Sequence, residues 1–580
     1  MIVHTIRNAS VLACLLFSAC SFATEPTQPE QGFSTGQQAL VTARDFMIVT
    51  ANPIASKAGY EILEAGGTAM DAAIAAQLVL NLVEPQSSGI GGGAFLVYYD
   101  SGAKALTTLD GRETAPASIR PDHFIGEDGK PLPWWQRVVG GQSVGVPGTL
   151  KLLEEGHQRF GKSDWAELLQ PAIRLARQGF TVSPRMAASI ARAKDRGLAK
   201  FENTRKYFFT DDGEPLPAGY QLTNPLFAET LESIARQGAR AFYHGTIGEA
   251  IVAAVNQSAP GFMSQEDLRN YQVVERPPVC VRYRQYQVCG MGPPSSGALS
   301  VGQTLGVLNH VALGNRGFEA SAIQLISDAQ KLAYADRALY IGDSDFVSVP
   351  VSGMLDPDYL AGRADLITRG SAMPKAEAGS PPGLEAGRSA HSGKELPGTS
   401  HLSIVDQYGN VLSMTTTIET GFGSRVMAAG FLLNNELTDF SAVAERDGLE
   451  VANRIEPGKR PRSSMAPTIV FDAAGKPVMA IGSPGGSRII NYVSKTIIGV
   501  LDFGMDIQAA ISAPHFSNRN GDTDLEAGTV VADLGGELEA MGQKVRIRDM
   551  NSGLHGIVIE KNGHLQGGAD PRREGQALGR

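Results

Sequence analysis

The chain has 580 residues, a formal net charge of −9 and 42% hydrophobic residues. That content belongs to a globular chain able to build a large core. The acidic balance comes without a block of Lys and Arg, which argues against nucleic acid or an anionic membrane surface as a partner.

In chain order, the first residues read as an export signal. Arg7 precedes an apolar run over 11–17 and then small residues, a segment too short to span a membrane as a stable helix. Two processing sites are present. Ser21-Phe22-Ala23 fits an ordinary signal peptidase, which makes 1–23 the signal peptide. Phe17-Ser18-Ala19-Cys20 resembles a lipoprotein box with an atypical first residue and would anchor the chain through Cys20. The expected location is periplasmic or secreted. Residues 24–37 are polar and expected to be disordered. Asn52-Pro53 opens a helix over 54–65 that Gly66-Gly67 ends, and Asp71 begins an Ala-rich buried helix. Residues 94–100 and 106–110 read as paired strands. A mostly helical middle runs from 149 to about 366.

Cys280 and Cys289 interrupt it, flanking a segment that alternates like strand residues around a turn. In an exported protein they read as a local cross-strand disulfide, the alternative being two buried thiols. No Cys or His spacing suggests zinc, and no metal or organic cofactor is implied. Residues 370–398 are rich in Gly, Pro, Ser, Ala and charge, and read as a floppy tail. Strands return at 402–405, 411–417, 468–471, 478–482 and 556–560, with helices over 489–500 and 507–513. Strands at both ends with helices between and outside predict layered α/β packing.

Two motifs are decoys. Gly141-Gln142-Ser143-Val144-Gly145 matches a nucleophile elbow, but Val146-Pro147-Gly148 blocks the helix that must follow. Gly89-Ile90-Gly91-Gly92-Gly93-Ala94 passes for a dinucleotide fingerprint, yet it lies between helix and strand in the wrong order. A close backbone approach beneath the active site is the better use for these glycines.

Chemistry concentrates at the end of the tail, where Gly398-Thr399 opens a β-hairpin turning at 406–410. Cutting the Gly398–Thr399 bond would free an α-amine beside the Thr399 hydroxyl, and that amine can act as its base. The run Thr399-Ser400-His401-Leu402-Ser403-Ile404-Val405-Asp406 resembles the autoprocessing site of the γ-glutamyltranspeptidases. The resemblance extends through Pro85-Gln86-Ser87-Ser88-Gly89, Gly292-Pro293-Pro294-Ser295-Ser296-Gly297, Leu432-Leu433-Asn434-Asn435-Glu436, Arg460-Pro461-Arg462-Ser463-Ser464-Met465, Gly482-Ser483-Pro484-Gly485-Gly486-Ser487-Arg488 and Asp570-Pro571-Arg572. Their joint occurrence in this order carries it.

The resemblance implies an α/β fold, the four-layer αββα sandwich of the N-terminal-nucleophile hydrolases. It implies a precursor cut into a large subunit (24–398) and a small catalytic subunit (399–580) that remain one heterodimeric globule. It assigns Thr399 as nucleophile, Thr417 as its hydrogen-bonding partner, and the Gly485 and Gly486 amides as the oxyanion hole. Arg112, Ser463 and Ser464 would hold the α-carboxylate of a γ-glutamyl group, and Glu436 and Asp439 its ammonium. The implied partners are glutathione or other γ-glutamyl compounds, with amino-acid or dipeptide acceptors.

Two departures bear on the substrate. Glu419 stands where these enzymes usually carry asparagine, in a run resembling the branch that includes glutaryl (cephalosporin) acylases. It would either pair with Arg425 or add negative charge at the ammonium pocket. The loop 440–459 is short and holds no aromatic residue beyond Phe440, which predicts a more open site. An acylase-like amidase is the alternative enzyme. A non-catalytic exported binding protein is the alternative from another class.

Overall fold

The computed structural model describes residues 36–384, 387–391 and 398–580. The expectations for the signal peptide and Cys20 lie outside them.

Two seven-stranded sheets form the centre. One, which carries the site, runs Gln576–Gly579, Met47–Thr50, Thr399–Val405, Val411–Thr417, Gly93–Asp100, Ala105–Gly111, Val274–Arg276. The other runs Val41–Ala43, Leu565–Ala569, His555–Ile559, Pro477–Gly482, Thr468–Phe471, Tyr286–Gly290, Val279–Tyr283. Strand periodicity of two sends alternate side chains to opposite faces. Met47, Val49, Val405 and Val411 of the site sheet meet Ile469, Ala480 and Ile557 of the other. Ile48, Leu96, Ile404 and Leu412 point away, into a core shared with the helices Pro53–Glu64 and Ala69–Val83. On the far side, Val281, Val470, Met479 and Ile481 pack with helices Gly297–Leu308, Ala320–Tyr340 and Ile489–Leu501. The result is helix, sheet, sheet, helix, as expected.

Local chemistry sets the boundaries. Asp71 is not the first residue of its helix but the third, because Thr68 caps it: Thr68 N–H donates to Asp71 Oδ2 at 2.9 Å while Thr68 Oγ1 accepts from Asp71 N. Cys280 lies directly opposite Cys289 in an antiparallel hairpin, and the two are joined.

Three expectations change. Met47–Thr50 pairs directly with Thr399–Val405, yet at four residues it is too short to show an alternating pattern. Leu565–Ala569 and Gln576–Gly579 are strands despite weak β propensity. Packing selects them, since a Cβ on Gly567 would lie 2.4 Å from Met47 Sδ. The 370–398 tail is docked where it is described. Gly379 N donates to Asp336 Oδ1 at 2.8 Å, Ala376 N to Asn520 Oδ1 at 2.7 Å, and His391 N to Ala338 O at 2.8 Å. Arg388-Ser389 forms a parallel strand pair with Glu450-Val451. Its turn-rich composition hid contacts made through backbone groups rather than an apolar face.

Candidate active site

Register brings the reacting groups together. Thr399 and Thr417 are cross-strand partners, and Thr417 is opposite Gly93 on its other side. Thr399 Oγ1 lies 3.4 Å from Thr417 Oγ1, which donates to Gly398 O at 2.8 Å and accepts from Glu419 N at 2.8 Å. The Thr417 hydroxyl therefore bridges the Thr399 hydroxyl and the carbonyl beside it. Gly398 is required for space: a Cβ there would sit 1.9 Å from Glu419 O. Gly92 is required for the same reason, with Thr417 O 1.9 Å from where its Cβ would be.

The other end of the site is a buried ion cluster. Arg112 donates to Glu436, to Asp439 Oδ2 at 2.6 Å, to Pro461 O at 3.1 Å and to Arg462 O at 3.2 Å. Carboxylate oxygens of Glu419, Glu436 and Asp439 all lie within 4.8 Å of one another. Burial drives the Glu419 carboxyl well above its ordinary range, and Asp439 and Glu436 push it further. Burial does the same to Glu436 against the pull of Arg112. Arg112 itself is held above its usual value by Glu436 and Asp439, which outweigh its own burial. Glu419 thus joins the acidic cluster. It does not pair with Arg425, whose guanidinium donates instead to the carbonyls of Gly423 and Arg196.

Ser463 and Ser464 are buried on the adjoining segment; Ser464 Oγ accepts from Arg337 Nη2 at 2.7 Å, and Ser463 O from Ser296 N and Oγ, each at 2.7 Å. Gly485 and Gly486 precede the helix Ile489–Leu501 with φ of +139° and +58°, and among the described residues neither N–H donates to a backbone carbonyl. Such a pair of free amides at a helix start is suited to an oxyanion.

Sequence reasoning missed Arg573. Its Nη1 donates to Thr399 O at 3.1 Å and its Nε to Asn551 Oδ1 at 3.3 Å. Its side chain packs on Gly553, which also abuts Pro484, so it links Thr399 to the Gly485-Gly486 loop. Its signal was its place directly after the Asp570-Pro571-Arg572 motif. Asn434 was also missed: it bonds Gly91 O at 2.8 Å and Gly145 N and O, each at 2.9 Å, pinning the glycine run. The elbow decoy is resolved, because Ser143 is buried and donates to Val138 O at 2.6 Å and Gly140 O at 2.9 Å. The short loop does not open the site in the unbroken chain: Phe440 is 1% exposed and Thr399 4%. Burial holds His401 well below its ordinary value and His555 near 3, and the His401 ring nitrogens bond the hydroxyls of Thr415 and Ser403 rather than that of Thr399.

A threonine at the head of a strand in an αββα sandwich, with a second hydroxyl across the pair, defines an N-terminal-nucleophile hydrolase. The family described as Gamma-glutamyltranspeptidase matches residues 55–580. The chain is 38% identical to the glutathione hydrolase proenzyme of Bacillus subtilis (strain 168), over 99% of this chain and 97% of that one. It is 35% identical to the acylase ACY 1 proenzyme of Pseudomonas sp. (strain V22), over 91% and 92%. The crystal structure of cephalosporin acylase from Bacillus halodurans superposes with a TM-score of 0.83 at 26% identity, covering 98% of this chain and 99% of that one. The chain belongs to the γ-glutamyltranspeptidase family. It is an autoprocessed enzyme that acts on small molecules as a processed two-subunit assembly.

Proposed function

We propose that the chain cuts itself between Gly398 and Thr399 and then transfers γ-glutamyl groups from glutathione and related donors to water or to an amino acid or peptide. In processing, Thr399 Oγ attacks the Gly398 carbonyl carbon while Thr417 Oγ1 polarises the carbonyl oxygen, and water hydrolyses the resulting ester. Thr399 then carries a free α-amine. In turnover the amine takes the hydroxyl proton as Oγ attacks the donor carbonyl and returns it to the leaving amine. The Gly485 and Gly486 amides stabilise the developing oxyanion, a donor typically worth about 3 kcal/mol.

One observation carries the substrate class: the contacts run unbroken from Thr399 through Thr417 and Glu419 to Glu436, Asp439 and Arg112. A γ-glutamyl head carries both an α-carboxylate and an α-ammonium. Without a donor, the groups suited to those two charges neutralise each other. A bound zwitterion replaces that internal pairing with two, giving its carboxylate to Arg112, Ser463 and Ser464 and its ammonium to the acids. Four buried carboxyls around one guanidinium (Glu113, Glu419, Glu436 and Asp439) favour a donor that brings a cation. The acylase reading draws on Glu419 and on the likeness to cephalosporin acylase. Export through 1–23 belongs to the same proposal; no helix among the described residues is long and apolar enough to cross a membrane.

Rates on γ-glutamyl and glutaryl anilides, with and without glycylglycine, test it, since the two donors differ only in the ammonium. Faster γ-glutamyl turnover, raised by glycylglycine, is expected. Faster glutaryl turnover makes the enzyme an acylase.

A further inference from the structure

We infer that a second anion-binding subsite, built by Arg425 and Arg196 with Gln86, holds the terminal carboxylate of a peptide leaving group or acceptor. This rests on the reading of the enzyme as a γ-glutamyl transferase.

The α-amine of Thr399 hands the leaving group a proton, so it departs on the amine side of the nucleophile. In the unbroken chain that side is occupied by Gly398. A Cβ on Gly398 would lie 2.8 Å from Gly421 N, so Gly421 is the wall of the space that processing vacates. Gly421 also lines a cavity of about 20 Å³, together with Gln86, Trp135, Arg196, Phe422 and Arg425. A volume of about 10–15 Å³ admits one water-sized group, so this cavity is a small niche that fits a carboxylate oxygen and no bulky side chain.

The lining is cationic. Arg425 is 1% exposed, and its recorded partners are the carbonyls of Gly423 and Arg196. Both guanidiniums lie against the Trp135 ring, Arg425 at 5.4 Å and Arg196 at 5.5 Å. Among the described residues no carboxylate pairs with either arginine. Burying a guanidinium without an anion is costly, and the two cations repel; burial and then Arg196 bring the Arg425 group down to about 9. An incoming carboxylate relieves both penalties.

Gln86 supplies independent evidence. It is 1% exposed, its Nε2 donates to Glu84 Oε2 at 3.2 Å, and its Oε1 has no partner. Glu84, itself held by Arg185, therefore fixes the amide with a bare acceptor. An acceptor beside two guanidiniums matches the end of a peptide: its N–H to Gln86 Oε1, its carboxylate to Arg425 and Arg196.

The test compares kcat/KM for glutathione with that for its C-terminal amide, in wild type and in Arg425→Gln and Arg196→Gln. Charge-assisted hydrogen bonds predict that wild type favours the acid by about 10- to 100-fold. The ratio collapses towards one in either variant that still cleaves itself, self-cleavage being the check on folding. Arg196→Gln, on the partly exposed side chain, decides the matter if Arg425→Gln stays uncut. A wild-type ratio near one, with normal turnover of a γ-glutamyl anilide, overturns the subsite alone, as does a ratio that persists in the variants. No turnover of the anilide by wild type overturns the proposed function and the subsite's ligand with it.

Discussion

Glu113 shows how tightly single residues are committed around the nucleophile. Its carboxyl lies where a Cβ on Gly93 would be, 2.2 Å from Oε2, and Gly93 is the register partner of Thr417. Burial raises this carboxyl from 4.5 to about 7, against the pull of Arg112 at 3.9 Å. A carboxyl whose folded value exceeds its unfolded one stabilises the fold fully below 4.5 and loses that contribution as pH rises to about 7. Linkage puts the loss at about 3 kcal/mol. The wild-type melting temperature should therefore fall more steeply between pH 4.5 and 7 than that of Glu113→Gln. Equal slopes would show that Glu113 does not hold a proton in the fold. Residues that touch each other along the chain were legible: Thr399, Gly398 and the glycine run follow from one stretch of sequence and its chemistry. Arg573 and Asn434 were not, because their partners lie far away in sequence. Arg112 was assigned to the site through the resemblance alone, and the fold buries it against Glu436 and Asp439.

Among the elements, strands with alternating apolar residues and helices with caps were read within a few positions. Val411–Thr417 and Thr468–Phe471 match their expected bounds. Elements that rely on neighbours rather than on propensity escaped, as with Gln576–Gly579 on the edge of the site sheet. The tail before the nucleophile is the sharpest case. Its composition describes a loop, yet Asp336, on the helix Ala320–Tyr340, receives Gly379 N, and the Arg388-Ser389 pair extends the strands Glu445–Arg446 and Leu449–Val451. Hydrogen exchange measures this directly. Protection of the Ala376 and Gly379 amides, comparable to that of other side-chain-bonded loops, is the expected outcome. Exchange of both at the rate of an unstructured peptide would show that the segment is a free tail.

At the scale of the whole molecule, the proposed cut at Gly398–Thr399 falls in the middle of one fold. In the site sheet, Thr399–Val405 and Val411–Thr417 lie between Met47–Thr50 and Gly93–Asp100. In the other sheet, four strands from beyond Thr399 are flanked by Val41–Ala43 on one side and Tyr286–Gly290 on the other. Each piece supplies strands that the other pairs on both edges, and neither retains a complete core. This interleaving could not be read from strand order in the sequence, because it depends on which distant strands pair. It predicts that the cut protein migrates as one particle under native conditions. Intact mass under denaturing conditions tests the central claim, for wild type and for Thr399→Ala, each also sized in native buffer. The account predicts two wild-type masses meeting at the Gly398–Thr399 bond, one native particle, and a single uncut mass for Thr399→Ala. A wild-type chain that stays whole on long incubation, or a Thr399→Ala chain cut at the same bond, would contradict it.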